Sequence, residues 1–138
     1  MLLAAQKLSD GTTLTADICV VGAGAAGITL AVALMGRGMK VLLIEAGGPK
    51  AEAGAQQFYK GHVANPEFHQ PPDTDRTRGL GGTSAMWGGR CMPYDPHDFE
   101  AREHIENSGW PFKIDTLLPY YRAAQSAAEA GNWAYTAS

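Results

Sequence analysis

The run Ile18-Cys19-Val20-Val21-Gly22-Ala23-Gly24-Ala25-Ala26-Gly27 restricts what this chain can fold into more than any other stretch. Four apolar residues without alternation suit a strand buried on both faces of a parallel sheet, and the glycines that follow suit an abrupt strand-to-helix turn. Each glycine has its own task. Gly22 permits the tight turn, a side chain at Gly24 would hold the backbone away from a pyrophosphate, and a Cβ at Gly27 would keep the new helix off its strand.

A helix opening at this turn directs unpaired N–H groups and the positive end of its dipole at whatever lies above it, which favours a phosphate. Its body is expected over Ala25 to Arg37, with Gly36 and Gly38 as the stop. Lys40-Val41-Leu42-Leu43-Ile44 then forms a second buried strand ending at Glu45. A carboxylate there can accept hydrogen bonds from both hydroxyls of an adenosine ribose and would repel a 2′-phosphate. The pattern predicts an α/β fold with a strand-helix-strand unit for FAD or NAD rather than NADP.

At 138 residues, with 45% hydrophobic and 18% charged residues, the chain has the composition of one soluble globular domain. A net charge of -3 argues against a nucleic-acid partner. Glycines interrupt the apolar stretch from Ile18 to Ile44, so no membrane span is expected. No signal peptide is visible before Lys7. Cys19 and Cys91 lack metal-ligand spacing and read as free thiols, which fits a reducing compartment and a cytoplasmic location. His62, His69, His97 and His104 lie in polar surroundings without a partner at ligand spacing and read as solvated.

Along the chain, residues 1–16 read as a lead-in with a turn at Asp10-Gly11, 17–48 as the nucleotide unit and 49–77 as a short helix followed by an irregular covering loop. Residues 78–90, Arg78-Gly79-Leu80-Gly81-Gly82-Thr83-Ser84-Ala85-Met86-Trp87-Gly88-Gly89-Arg90, form a second glycine-rich loop. Successive N–H groups there can make an anion nest, and Trp87 offers a flat apolar surface to an aromatic ring. Over 91–138 the text is helical, with Asp98 expected to cap a short helix and Asp115 a longer one that carries Leu117, Leu118, Tyr121, Ala124 and Ala128 and ends near Gly131.

These motifs resemble, in order, the amino-terminal part of a glucose-methanol-choline (GMC) oxidoreductase. The resemblance rests on Gly22-x-Gly24-x-x-Gly27, Glu45-Ala46-Gly47-Gly48, Gly81-Gly82-Thr83-Ser84, Asp98-Phe99, Gly109-Trp110-Pro111 and Leu117-Leu118-Pro119-Tyr120-Tyr121, and runs from about Asp17 to about Ala128. It implies a Rossmann-like FAD-binding unit whose sheet is incomplete within this stretch. It further implies oxidation of an alcohol or sugar hydroxyl by hydride transfer to flavin. The cofactor-binding set it assigns is Gly22, Gly24, Ala25, Ala26, Gly27, Glu45, Ala46, Gly81, Gly82, Ser84, Trp87 and Gly88.

Two departures qualify the match. Many members carry Asn where this chain has Trp87; one branch also has Trp there, preceded by a histidine joined covalently to the flavin. Met86 replaces that histidine here and offers no comparable nitrogen, so FAD is expected to bind non-covalently. The family's catalytic base lies far downstream of the matched region, so no residue here is assigned that role, and the chain reads as a fragment of weak independent stability. The substrate is expected to be a small alcohol or sugar, with the electron acceptor unassigned. An NAD-dependent dehydrogenase fragment and a small non-catalytic nucleotide-binding protein stand as alternatives.

Overall fold

The computed structural model describes residues 1–135 and divides into two compact units, Met1–Met86 and Trp87–Ser138. The boundary falls inside the second glycine-rich stretch.

The first unit is built on a two-stranded parallel sheet. Strand β1 (Ile18–Val21) pairs with β2 (Val41–Ile44) in the register Ile18 to Val41 through Val21 to Ile44. Backbone bonds continue the ladder at both ends, from Asp17 N–H to the Lys40 carbonyl at 2.9 Å and from Gly22 N–H to the Ile44 carbonyl at 2.7 Å. The Asp17 carboxylate accepts the Lys40 N–H at 2.7 Å, which fixes where the second strand begins. Helix α1 (Ala25–Met35) connects the strands and packs against both. It is shorter than expected: Gly36 caps it, and the Arg37 N–H bonds instead to the Leu34 carbonyl at 3.0 Å.

Val20 and Ala31 are buried between helix and sheet, whereas Val21 is 81% exposed and Cys19 is exposed. The expectation of a strand buried on both faces is thus corrected. Helix α1 covers one face, and no described element covers the other. Leu30, Val32 and Met35 leave α1 apolar on its outer side as well. An all-apolar helix is the kind normally buried all round, so this surface is stabilised only when more polypeptide covers it.

After β2 come a helical turn, α2 (Ala53–Gln56), continued by a 3₁₀ turn over Gln57–Tyr59, then another, α3 (Pro72–Asp75), and a 3₁₀ turn over Gly82–Met86. At the amino end, Asp10-Gly11 makes the expected turn, with Gly11 at φ +78° and the Thr12 N–H bonded to the Ser9 carbonyl, but the flanking residues are not strands.

The second unit holds an aromatic cluster in which Phe99 sits about equally far from Trp110 and Phe112, with ring centroids 6.2 and 6.0 Å away. A capping box opens its 3₁₀ turn, Pro96–Phe99. Asp95 is the cap and Asp98 the third helical residue that bonds back to the Asp95 N–H at 2.9 Å. Asp98 is therefore not the cap itself, because Pro96 already fixes the first helical position. Helix α4 (Leu118–Ala127) is preceded by a separate 3₁₀ turn containing Asp115, whose side chain caps nothing. The helix stops before Gly131, with Glu129 and Gly131 both at positive φ.

At Gly27, an added Cβ would collide with the Gly22 carbonyl oxygen and stand 3.5 Å from the Val20 side chain. The Gly22 carbonyl cannot yield without separating α1 from β1. Gly27→Ala is expected to destabilise the natural polypeptide by about 1–3 kcal/mol, as overpacking of a tight interface does. Chemical denaturation reads this, and an unchanged midpoint would contradict the packing described.

Candidate cofactor site

Gly22, at φ +98°, turns the chain out of β1. Gly24 is the N-cap of α1, and having no side chain it offers no capping group. The first helical bond runs from the Ile28 N–H to the Gly24 carbonyl at 2.9 Å, which leaves the N–H groups of Ala25, Ala26 and Gly27 without partners inside the helix. A Cβ on Gly24 would meet nothing within 4 Å, so the space over this turn is open. The two glycines thus differ in kind: Gly27 is filled by protein and Gly24 faces free space.

Ala23, between Gly22 and Gly24 in the chain, is 1% exposed. Its N–H donates to Glu45 Oε2 at 2.8 Å, and its carbonyl accepts from the Gly81 N–H at 2.7 Å. Gly24 and Gly81 form a parallel bridge, and a Cβ on Gly82 would lie 3.3 Å from the Gly24 Cα. The two glycine-rich segments, far apart in the chain, are therefore in direct contact. Gly81 and Gly82 both take positive φ, and the Ser84 hydroxyl closes the turn by donating to the Gly81 carbonyl at 2.5 Å.

The other Glu45 oxygen, Oε1, accepts the Gly47 N–H at 2.9 Å. Burial tends to raise the Glu45 pKa. The N–H groups of Gly47, Ala23 and Ala46 and the nearby Arg78 charge outweigh it, so the carboxyl sits below its ordinary 4.5. A carboxylate has about four acceptor positions, so the hydrogen bonds from Ala23 and Gly47 leave acceptor capacity over. Ala46 continues from it with an exposed side chain.

Gly47 and Gly79 form a second contact between these segments. A Cβ on Gly47 would fall 2.5 Å from the Gly79 Cα, while the Leu80 N–H reaches the Gly48 carbonyl at 3.0 Å. The structure thus brings together Gly22, Gly24, Ala25, Ala26, Gly27, Glu45, Ala46, Gly81, Gly82 and Ser84 within one unit. Trp87, 47% exposed, and Gly88 open the other unit. Sequence reasoning missed the backbone role of Ala23 and the tight packing of Gly47 and Gly79. The glycine pairs themselves were the available signal for the latter. All four histidines are exposed, as expected, with His97 Nδ1 3.1 Å from Glu100. Among the described residues no group of acidic, His and Cys side chains is placed to hold a metal ion, and no helix is long and apolar enough to cross a membrane.

The lowered Glu45 pKa carries a testable sign. A group whose pKa falls on folding stabilises the folded state above its unfolded value, and that contribution is lost as the pH drops through the lower folded value. Glu45→Gln also places an amide donor where two N–H donors converge. The stability gap between the natural polypeptide and Glu45→Gln should be widest near neutral pH and shrink as the pH falls below about 4.5. A gap that stays constant in denaturation series across that range would contradict the assignment.

Comparison with known proteins bears on what such a site holds. Residues 17–136 match the family model described as FAD dependent oxidoreductase, DAO. Over 122 residues the chain is 32% identical to 6'''-hydroxyparomomycin C oxidase of Streptomyces lividus, an alignment spanning 79% of this chain and 22% of that protein. It is 30% identical over 125 residues to paromamine 6'-oxidase of Streptomyces fradiae, spanning 76% and 21%. It is 26% identical over 146 residues to the fructose dehydrogenase large subunit of Gluconobacter japonicus, spanning 82% and 27%. The chain therefore spans about a fifth to a quarter of the length of these relatives. The match covers the strand-helix-strand unit, both glycine-rich segments and the second unit alike, and on it the chain belongs to the DAO family of FAD dependent oxidoreductases.

Proposed function

We propose that this chain is the FAD-binding part of an oxidoreductase of GMC type, with a Rossmann-like nucleotide unit, that oxidises an alcohol or sugar hydroxyl. The observation that carries the reading is the contact of two glycine-rich turns, Gly22–Gly27 and Gly79–Ser84, at the open amino end of α1 with Glu45 beside them. The relatives named for oxidising paromamine, for oxidising 6'''-hydroxyparomomycin C and for dehydrogenating fructose support a sugar-like substrate.

The fit of the residues to FAD is direct. Free N–H groups at Ala25, Ala26 and Gly27 suit the pyrophosphate, since a helix start combines donors with a positive dipole end. Gly22, Gly24, Gly81 and Gly82 keep side chains out of its path, and Ser84 lies on the same turn. Glu45 retains acceptor capacity for the ribose hydroxyls, with Ala46 next to it. Trp87 and Gly88 are assigned to the flavin end from their place in the motif.

When bound, FAD supplies a two-electron acceptor for the hydride leaving the carbinol carbon, a reaction whose redox chemistry belongs to the cofactor. This stretch contributes binding and orientation. No side chain here is assigned as the base that takes the hydroxyl proton, and the exposed histidines are not candidates. The electron acceptor that reoxidises the flavin is likewise left unassigned.

Two experiments test the reading. In the natural polypeptide, Gly24→Ala should leave stability nearly unchanged, since its Cβ meets open space, while weakening FAD binding by about tenfold or more, equivalent to roughly 1.4 kcal/mol. Retained affinity would place the pyrophosphate elsewhere. Because Met86 offers no nucleophilic nitrogen, acid precipitation should release the yellow flavin into solution. Colour in the pellet would show a covalent link.

A further inference from the structure

Gln56 ends the single turn of α2, in a stretch where the sequence carries no cofactor motif, yet its side-chain amide makes three hydrogen bonds. Its Nε2 donates to the Asp73 carbonyl at 2.8 Å and to the Arg76 carbonyl at 2.5 Å, and its Oε1 accepts the Arg78 N–H at 3.1 Å. Both amide hydrogens and one oxygen lone pair are thereby spent on three backbone groups of one segment, 73–78. That segment leads straight into Gly79–Ser84.

The same short helical stretch also grips the Arg78 side chain. The guanidinium carbon lies 5.0 Å from the Phe58 ring centroid and 5.5 Å from that of Tyr59, within cation-π range of both. Arg78 is thus held at its main chain by Gln56 and at its side chain by Phe58 and Tyr59. Its neighbour Gly79 packs on Gly47, and two residues further on Gly81 donates to Ala23. Since the backbone bonds of Leu80 and Gly81 both run to partners in other segments, the conformation before them sets whether the loop arrives in register.

We infer that Gln56 is a positioning residue for the cofactor, whose amide fixes the 73–78 segment so that the Gly79–Ser84 turn meets Ala23 and Gly24. The inference rests on the proposed function, in which that turn lies along the pyrophosphate and flavin. Three properties follow from the geometry. Loss of Gln56 should loosen the second glycine-rich turn and leave the first intact, because Gly22–Gly27 and Glu45 are held by the β1–β2 ladder and by each other. Ligands that reach only the adenosine end should notice little. Ligands that extend across the second turn should notice much.

The test uses the natural polypeptide, stripped of cofactor and titrated separately with FAD and with AMP. Gln56→Met removes all three bonds. Gln56→Glu keeps size and solubility but turns the two donors at the Asp73 and Arg76 carbonyls into an acceptor, and serves if the Met variant does not fold. Either should weaken FAD binding by about tenfold, the order expected for unpaired backbone groups, with AMP binding changed by less than about twofold. The residual bound flavin should also show altered visible absorption fine structure. FAD affinity within about twofold of the natural protein would overturn the inference, as would FAD and AMP affinities falling together, which marks general loosening. Failure of the unaltered protein to bind FAD at all would instead overturn the proposed function on which it rests.

Discussion

Ala23 is the point through which the first unit is tied together. It is fully enclosed, so its N–H and carbonyl both need partners, because a buried backbone group left unpaired costs as much as a lost hydrogen bond. The N–H finds Glu45 at the end of β2 and the carbonyl finds Gly81 in the distant glycine-rich turn. One residue with a methyl side chain thus fixes three segments: the β1–α1 turn, the strand that follows the helix, and the loop that closes over both. The glycines around it serve this arrangement, Gly27 by letting α1 approach, Gly82 by letting the second turn come against Gly24.

Glu45 consequently does two things. Its oxygens pin Ala23 and Gly47, and the backbone donors that do so keep it ionised, aided by Arg78. A charged carboxylate already held in place needs no reordering before it meets further donors, and that pre-organisation lowers the entropic cost of binding. Opposite in character is the outer surface of α1 and the exposed side of β1. Leu30, Val32, Met35 and Val21 face water there, and each buried apolar square ångström is worth about 25 cal/mol. Covering that surface would stabilise the unit, and the open edges of a two-stranded sheet point the same way.

Much of this was legible in the residues. Gly22, Gly24 and Gly27 announce their turn because each has a steric task that no other residue performs, and Glu45 follows because the second strand ends there. Other features were not. Val21 looks like a core strand residue, and only the absence of a second covering layer among the described residues leaves it exposed. Asp98 looks like a helix cap, yet Pro96 shifts that task to Asp95. Gln56 carries no local signature at all, since its three partners lie well beyond it in sequence and only the fold brings them to its amide. Long-range hydrogen bonds to backbone groups, such as these and those of Ala23, leave no spacing to read.

The most direct measurement is a crystal structure of the natural polypeptide with FAD bound. The pyrophosphate should lie between the two glycine-rich turns, within hydrogen-bond reach of N–H groups at the start of α1 and in the Gly81–Ser84 turn, with Ala23 still bonded to Glu45 and Gly81. A pyrophosphate bound away from the Gly24–Gly81 contact, or a cofactor that breaks the Ala23 bonds in order to bind, would contradict it.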